Sequence, residues 1–214
     1  YSWHAVASPE GWKLRPEAVL AFYNERMEKA WQASPNAAHL AIAALEAVYD
    51  VVVITQNVDG LHERAGSSNV IHLHGQLAYA RGTSETPKRY HIGGDPISMG
   101  QLCEDGTQLR PDIVWFGEET QHMAEARAHV RTAAKVLVVG TSLSVFPAAS
   151  LVNVARNRAE KVLISLEMDK VPYGFSFIRS NAATAVPKLV ERWLADGAVG
   201  SEDALMSEPL DGPI

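Results

Sequence analysis

Short, almost wholly apolar runs alternate along the chain with longer segments whose apolar residues recur every three or four positions. The runs "VVVIT", "KVLVV" and "KVLIS" lack the polar alternation of a half-solvated strand, so they predict strands that are buried on both faces. Strands that alternate with helices indicate a parallel sheet with helices on both faces. The pattern therefore predicts an α/β fold.

Five segments predict helices by the spacing of their apolar residues. Residues 14–32 carry apolar groups at helical intervals, and Pro16 followed by Glu17 suits a first helical turn. A second helix is expected after Asn36, whose side chain suits an N-cap. Three more helices are predicted in "MAEARAHVRTAA", "FPAASLVNVARNRAE" and "AVPKLVERWLAD".

Three regions lack a regular pattern. Residues 1–12 have the character of a loop, and residues 76–109 are rich in Gly, Ser, Thr and Pro, which predicts an irregular insertion. The acidic segment 198–214 is expected to be a flexible tail. We expect one domain over residues 1–214, with a smaller lobe built from a helical part, about 13–35, and from residues 76–109.

Polar residues follow each apolar run at its carboxyl end. "TQNVD" follows the first run, "GTSLS" the second and "SLEMD" comes at the end of the third. The carboxyl ends of parallel strands lie at one edge of a sheet, where ligands bind in α/β folds. These three stretches are therefore expected to line one crevice.

Composition narrows the classes of function. The formal net charge of −6 disfavours a general nucleic-acid binder, which needs a basic surface. No run of 18 apolar residues occurs, so no membrane span is predicted. Cys103 is the single cysteine, which excludes a disulfide within this sequence and favours an intracellular setting.

Two of the strand ends suit a nucleotide. Gly140, Thr141 and Ser142 offer backbone amides and hydroxyls near a helix start, which suits a phosphate, and Glu167 suits the hydroxyls of a ribose. The Gly140 stretch alone is equally consistent with an ordinary turn, and Glu167 alone is better explained as an exposed acid in a turn. The chain lacks G-x-G-x-x-G and G-x-S-x-G, so a standard Rossmann dehydrogenase and a serine hydrolase are unsupported.

Three histidines, His62, His72 and His74, lie close together in the sequence. A metal site is disfavoured because no nearby cysteine or closely spaced acid completes a ligand set. A histidine at a strand end near Asn57 and Asp59 is better interpreted as a general base.

Five stretches, taken in order, resemble one family. They are "TQNVDGLHERAG", "VIHLHG", "LRPDIVWFGE", "VVGTSLSVFPAASL" and "NAATAVPKLV". They resemble the motifs of the sirtuins, the NAD-dependent protein lysine deacylases, over most of the chain. The resemblance implies a Rossmann-like sheet with a smaller lobe made from insertions. It also implies a cytoplasmic enzyme, or a mitochondrial one in a eukaryote, that transfers the acyl group of a lysine to ADP-ribose.

The resemblance also implies roles for single residues. Acyl-lysine proteins or peptides would be the substrates and NAD the cofactor, with nicotinamide and O-acyl-ADP-ribose as products, and with no nucleic acid or membrane as partner. Asn57, Asp59 and His74 would be catalytic, His74 as the base. NAD would contact Gln56, Asn57 and Asp59 at the nicotinamide ribose, Gly140, Thr141 and Ser142 at the diphosphate, Ser165 and Glu167 at the adenosine ribose, and Ala182 near the adenine. The acyl-lysine tunnel and peptide contacts would be Val114, Phe116, Gly117, Glu118, Ser144 and Val145.

Tyr23 and Arg26 are three residues apart on a predicted helix, so they share a face. Spacing alone favours a core tyrosine with an arginine that extends to solvent. In this position, however, the pair resembles the signature of class III sirtuins, which implies that it binds the carboxylate of succinyl- or malonyl-lysine. We therefore predict a preference for these acyl groups over acetyl.

The chain departs from the sirtuin pattern in three places. Sirtuins carry two zinc-binding cysteine pairs in the region of residues 76–109, where this chain has only Cys103. One thiolate cannot form a tetrahedral site, even with His91, so no zinc is expected. Ser165 stands where the family usually has asparagine. The family's Gly-Ala-Gly-rich cofactor loop would precede Tyr1, so we expect the natural protein to begin further upstream.

Two other functions stay open. The first is an NAD-consuming hydrolase or ADP-ribosyltransferase on the same fold, which the retained tunnel stretch "VWFGE" disfavours. The second is a catalytically inactive module that binds NAD or ADP-ribose. The joint presence of Asn57, Asp59 and His74 disfavours that alternative.

Overall fold

The computed structural model describes residues 3–206, and the side chains as far as residue 197. In chain order the helices are α1 (Trp3–Val6), α2 (Pro9–Leu14), α3 (Pro16–Gln32), α4 (Ala37–Ala44), α5 (Leu61–Ala65), α6 (Met123–Thr132) and α7 (Ala182–Met206), with 3-10 helices at Leu45–Ala47 and Ala148–Val154. The strands are β1 (Val53–Thr55), β2 (Val70–His72), β3 (Gly75–Arg81), β4 (Arg89–His91), β5 (Arg110–Ile113), β6 (Lys135–Val139), β7 (Glu160–Ser165) and β8 (Ser176–Arg179).

The large lobe contains two separate parallel ladders. Strand β1 pairs with β2, and β7 lies between β6 and β8 in the second ladder. Residues 51–55 on one side and 135–139 on the other line a cavity of about 640 Å³ between the two ladders. The carboxyl ends of β1 and β6 open into the same cavity.

Helices cover both faces of these ladders, as the sequence predicts. On one face, α4 and α7 bury residues such as Val186 and Trp193 against Val162 and Ile164 of β7. On the other face, α6 and the 3-10 helix at Ala148–Val154 pack against β1 and β2. The predicted α/β fold is confirmed.

The small lobe is a helix packed on an antiparallel sheet of order β4-β3-β5. Val19 and Tyr23 of α3 meet Leu77, Ile113 and Trp115 in its core. The expectation that residues 76–109 are irregular is therefore wrong over β3 and β4. Short strands with exposed polar residues carry too weak an alternation to be recognised in a sequence rich in turn formers.

The amino-terminal region also differs from the prediction. Residues 3–6 and 9–14 are helical rather than loop, and the Ser8 side chain caps α2 by accepting a hydrogen bond from the Gly11 amide. Helices of four and six residues are too short to show a period. The predicted N-cap at Asn36 is confirmed, because its side chain accepts from the amides of Ala38 and His39.

Two differences concern the carboxyl-terminal half. The segment predicted as a helix after Phe146 forms only the 3-10 helix at Ala148–Val154. Helix α7 continues to Met206, into the expected tail 198–214, and residues 207–214 lie outside the described residues. Between residues 3 and 206, no helix is both long and apolar enough to cross a membrane.

Candidate active site

His74 comes two residues after β2 and lies beside the turn that follows the neighbouring strand β1. The parallel register places Thr55 opposite His72, so the chain brings Gln56 close to His74. The Nδ1 atom of His74 is 3.2 Å from the carbonyl oxygen of Gln56. Because a carbonyl only accepts hydrogen bonds, Nδ1 carries the hydrogen and Nε2 keeps its lone pair.

The surroundings of His74 favour the neutral ring. Burial lowers the pKa of His74 below its ordinary value of 6.5, and the hydrogen bond to the Gln56 carbonyl opposes this only in part. The imidazole is therefore neutral at pH 7. This protonation state is the one that a general base needs.

The turn after β1 is held by its own hydrogen bonds. Thr55 Oγ1 accepts from the amide of Asn57 at 3.0 Å, and Asp59 Oδ1 accepts from the amide of Leu61, the first residue of α5, at 3.0 Å. The Asn57 carbonyl also lies 3.3 Å from His72 Nδ1. Asn57 and Asp59 thus occupy a fixed turn beside His74.

The other two histidines of the group have different surroundings. His72 is buried, and its Nε2 lies 2.6 Å from Glu63 Oε1, so it holds the turn in place. His62 lines the cavity, and its buried Nδ1 has no hydrogen-bond partner among the described residues. A ligand in this cavity could form a hydrogen bond with His62 Nδ1.

The carboxyl end of β6 opens into the same cavity. Gly140 has a φ of +63°, and no atom lies within 4 Å of the position that a Cβ would occupy there. Four predicted cofactor residues line the cavity together: Gln56, Asn57, Gly140 and Thr141. An open glycine backbone, hydroxyl groups and the free His62 nitrogen fit the ribose and diphosphate of NAD.

The remaining predicted cofactor residues lie near this end without lining the cavity. The Oγ atoms of Ser142 and Ser144 are 2.6 Å apart on the loop after β6. Ser165 ends β7, and its hydroxyl donates to the carbonyl of Glu167, which is exposed. Ala182 begins α7. The parallel pairing of β6 with β7 places Ser165 next to Gly140.

Tyr23 and Arg26 lie on α3 in the small lobe. Tyr23 is 6% exposed, and its hydroxyl accepts a hydrogen bond from Trp115 Nε1 at 3.1 Å. Burial raises the pKa of Tyr23, so the phenol is neutral. Arg26 is exposed, and its guanidinium carbon lies 4.3 Å from the ring centroid of Phe22. Within the described part of the chain, no ion pair engages Arg26.

The predicted tunnel residues connect the two lobes. The amide of Val114 donates to the carbonyl of His74 at 2.9 Å, which joins this segment directly to the proposed base. Phe116 is 60% exposed, and Gly117, with a φ of +90°, lies in a turn closed between Trp115 and Glu118. The predicted peptide contacts Ser144 and Val145 are also exposed.

An ion-pair network around the predicted tunnel residues was not expected from the sequence. Arg110 binds both carboxylate oxygens of Glu118, at 2.7 and 3.1 Å, and Glu118 also accepts from the Trp115 amide at 2.8 Å. Arg81 and Arg89 pair with the buried Asp112. The available signal was the position of Arg110 and Asp112 directly before the apolar run 113–116, because charges buried with such a run need partners. Glu118 therefore uses its carboxylate to hold the turn between Trp115 and Glu118.

Cys103 belongs to a hydrogen-bonded turn. Its Sγ lies 2.9 Å from both Asp105 Oδ1 and the Thr107 carbonyl. In residues 3–206, no group of three or more His, Cys, Asp or Glu side chains is placed to hold a metal ion. The absence of zinc stays a prediction, and one bound zinc per chain in a metal analysis would contradict it.

Known proteins of one family resemble this chain along most of its length. The sequence profile of the Sir2 family matches residues 1–147. An NAD-dependent protein deacylase of Helicobacter pylori is 45% identical over 192 residues, which are 87% of this chain and 82% of that protein. An ADP-ribose complex of a Sir2 homologue superposes with a TM-score of 0.83 at 36% identity, covering 93% of this chain and 82% of the other. A Sir2 protein bound to an acetylated peptide gives 0.75 at 30% identity, covering 93% and 85%. The chain belongs to the Sir2 family, the sirtuins.

Proposed function

We propose that the chain removes succinyl and malonyl groups from lysine side chains of proteins in an NAD-dependent reaction, and acts less readily on acetyl groups. The observation that carries the preference is a pair of donors on α3. The Tyr23 hydroxyl hydrogen and the Arg26 guanidinium are without an acceptor or anion among the described residues. A carboxylate at the end of the acyl chain would satisfy both.

The general activity follows from family membership. Relatives at this level of identity are named NAD-dependent protein deacylases, and the cavity residues fit NAD. When bound, NAD supplies the ADP-ribosyl group that receives the acyl group, with nicotinamide as the leaving group. Gln56, Asn57 and Asp59 would orient the nicotinamide ribose from the fixed turn after β1.

His74 would act as the base. Its Nδ1–H is held by the Gln56 carbonyl, which leaves Nε2 to take a proton from a ribose hydroxyl. The tunnel segment is bonded to His74 through Val114, so an acyl-lysine in the tunnel would be delivered beside the base. A solved Sir2 neighbour binds an acetylated peptide, which supports acyl-lysine proteins as the substrates.

The test compares succinyl-lysine and acetyl-lysine forms of one peptide. Arg26→Met should lower kcat/KM for the succinyl peptide about 30-fold, the value of a charge-assisted hydrogen bond. The loss for the acetyl peptide should be much smaller. Lys29→Met is the matched control, because Lys29 is an exposed cation of the same helix that already pairs with Glu25. Equal losses on both peptides would refute the proposed preference.

The same assay distinguishes the other functions. Products of the proposed reaction are free lysine, nicotinamide and O-acyl-ADP-ribose. Nicotinamide release that does not depend on the peptide would instead indicate an NAD hydrolase. Binding of NAD with no product of either kind would indicate a sensor or binding module.

A further inference from the structure

Within the described part of the chain, the Tyr23 hydroxyl has one hydrogen-bond partner, the indole N–H of Trp115. The donor and acceptor lie 92 positions apart in the sequence, and the bond Nε1–H to Oη is 3.1 Å long. Both residues are almost fully buried, Trp115 at 2% and Tyr23 at 6% exposure. The bond is therefore shielded from competition by water.

The direction of this hydrogen bond fixes what the Tyr23 hydroxyl can do. An indole nitrogen only donates, so Tyr23 Oη must be the acceptor. The hydroxyl's own hydrogen is then left for a second partner, and no acceptor for it is found in residues 3–206. Accepting one hydrogen bond also makes a hydroxyl a better donor in the next. The phenol is thus prepared to donate to an anion.

Trp115 is itself held from several sides. Its ring contacts Trp12, at a centroid distance of 5.7 Å, and the guanidinium carbon of Arg110, 3.2 Å from a ring centroid. Its backbone amide donates to Glu118, which also binds Arg110 through both carboxylate oxygens. Rotation of the indole away from Tyr23 would disturb its ring contacts with Trp12 and Arg110.

We propose that Trp115 is a positioning residue for acyl specificity, which orients the Tyr23 hydroxyl as a donor toward the terminal carboxylate of the acyl chain. This inference rests on the proposed preference for succinyl and malonyl groups and adds a residue to it. An acetyl group ends in a methyl, which cannot accept a hydrogen bond from the oriented hydroxyl. Loss of the indole N–H should therefore affect acidic acyl groups selectively.

The experiment removes the indole N–H while keeping an aromatic side chain at position 115. Trp115→Phe and, as a closer match, replacement of Trp115 by benzothienylalanine, in which sulfur takes the place of the N–H, should be compared with the wild type. The ratio of kcat/KM for succinyl over acetyl peptide should fall about fivefold, mainly through KM. Trp31→Phe is the control, since Trp31 is an exposed tryptophan of α3 that does not bond the Tyr23 hydroxyl, and its ratio should stay at the wild-type value.

A double-mutant cycle separates positioning from general damage. In a Tyr23→Phe background, removal of the Trp115 N–H should cause no further fall in the ratio. A fall of the same size in both backgrounds, or an unchanged ratio in the benzothienyl variant, would overturn the role of Trp115. If the wild type itself shows no preference for succinyl, the proposed function fails instead. If Arg26→Met abolishes the preference and the Trp115 variants do not change it, only the present inference fails.

Discussion

The two lobes hold their functional groups by different means. In the large lobe, strand register and a backbone carbonyl place His74, whose Nδ1–H is bonded to Gln56. In the small lobe, side chains place Tyr23, through Trp115 and the pair of Arg110 and Glu118. A group that is held by backbone atoms keeps its position when a neighbouring side chain is substituted. A group that is held by a network of side chains can lose its position when any one of them is substituted. We infer that the chemistry rests on a tolerant scaffold and the specificity on a part that single substitutions can change.

The largest expected effect is the loss of His74, the proposed base. His74→Ala should lower kcat about a thousandfold for succinyl and acetyl peptides alike, within the range for removal of a general base. The unfolding free energy should change by no more than about 1 kcal/mol, because the side chain makes one hydrogen bond to a carbonyl. Nicotinamide release and denaturant melts measure the two quantities.

The control for this variant is His91→Ala. His91 is exposed in β4 of the small lobe, so its removal should leave the rate within about twofold of the wild type. A His74 variant that lost activity on only one of the two peptides would contradict the division between chemistry and specificity.

The second largest expected effect is a loss of stability caused by a substitution in the small lobe. Glu118→Gln should lower the unfolding free energy by about 3 kcal/mol, because the change leaves the buried Arg110 without its counter-charge. Urea denaturation at pH 7 checks this value. Glu119→Gln is the matched control, since Glu119 is an exposed neighbour that forms no ion pair with any of the described residues.

The pH dependence gives a further check on the Glu118 variant. Burial raises the pKa of Glu118, but the hydrogen bonds and charge of Arg110 outweigh burial and hold it below 4.5. The stabilisation is therefore complete above pH 4.5 and is lost as the pH falls through the lower, folded-state value. The difference between wild type and Glu118→Gln should shrink in acid. A difference that stayed constant would show that the carboxylate charge is not its cause.

The smallest effect tests whether packing alone holds the small lobe. Cys103→Ala should cost about 1 kcal/mol, because it removes the sulfur that bonds Asp105 and Thr107. A metal chelator should leave the Tm of the wild type unchanged. A chelator-induced fall of several degrees, reversed by zinc, would show instead that a metal stabilises this lobe.

The sequence predicted the large lobe well because its signals are local. The runs that became β6 and β7 each contain consecutive apolar residues, and Asn36 stands directly before its helix. The predicted burial is confirmed for the centre of β7 but is wrong for β6, whose residues are half-buried. The polar residues after those strands follow from the same logic, since parallel strands end at one edge. Gln56 and Gly140 accordingly meet at one cavity.

The small lobe was less predictable because its contacts are distant in sequence. Trp115 and Tyr23 meet across 92 positions, and no periodic pattern encodes such a pair. Arg110 and Asp112 look like surface charges until the strand around them is known to be buried. Strands β3 and β4 were missed because their alternation of buried and exposed residues is irregular or short.

The position of β7 has a consequence for how the large lobe comes apart. This strand pairs on both sides, with β6 and with β8, and Val162, Leu163 and Ile164 in it are almost fully buried. Helices α4 and α7 cover it with apolar side chains. We expect the amide hydrogens of β7 to exchange with solvent more slowly than those of β8, which is mostly exposed. Ser165, at the carboxyl end of β7, would then stay anchored while the loops around it open locally.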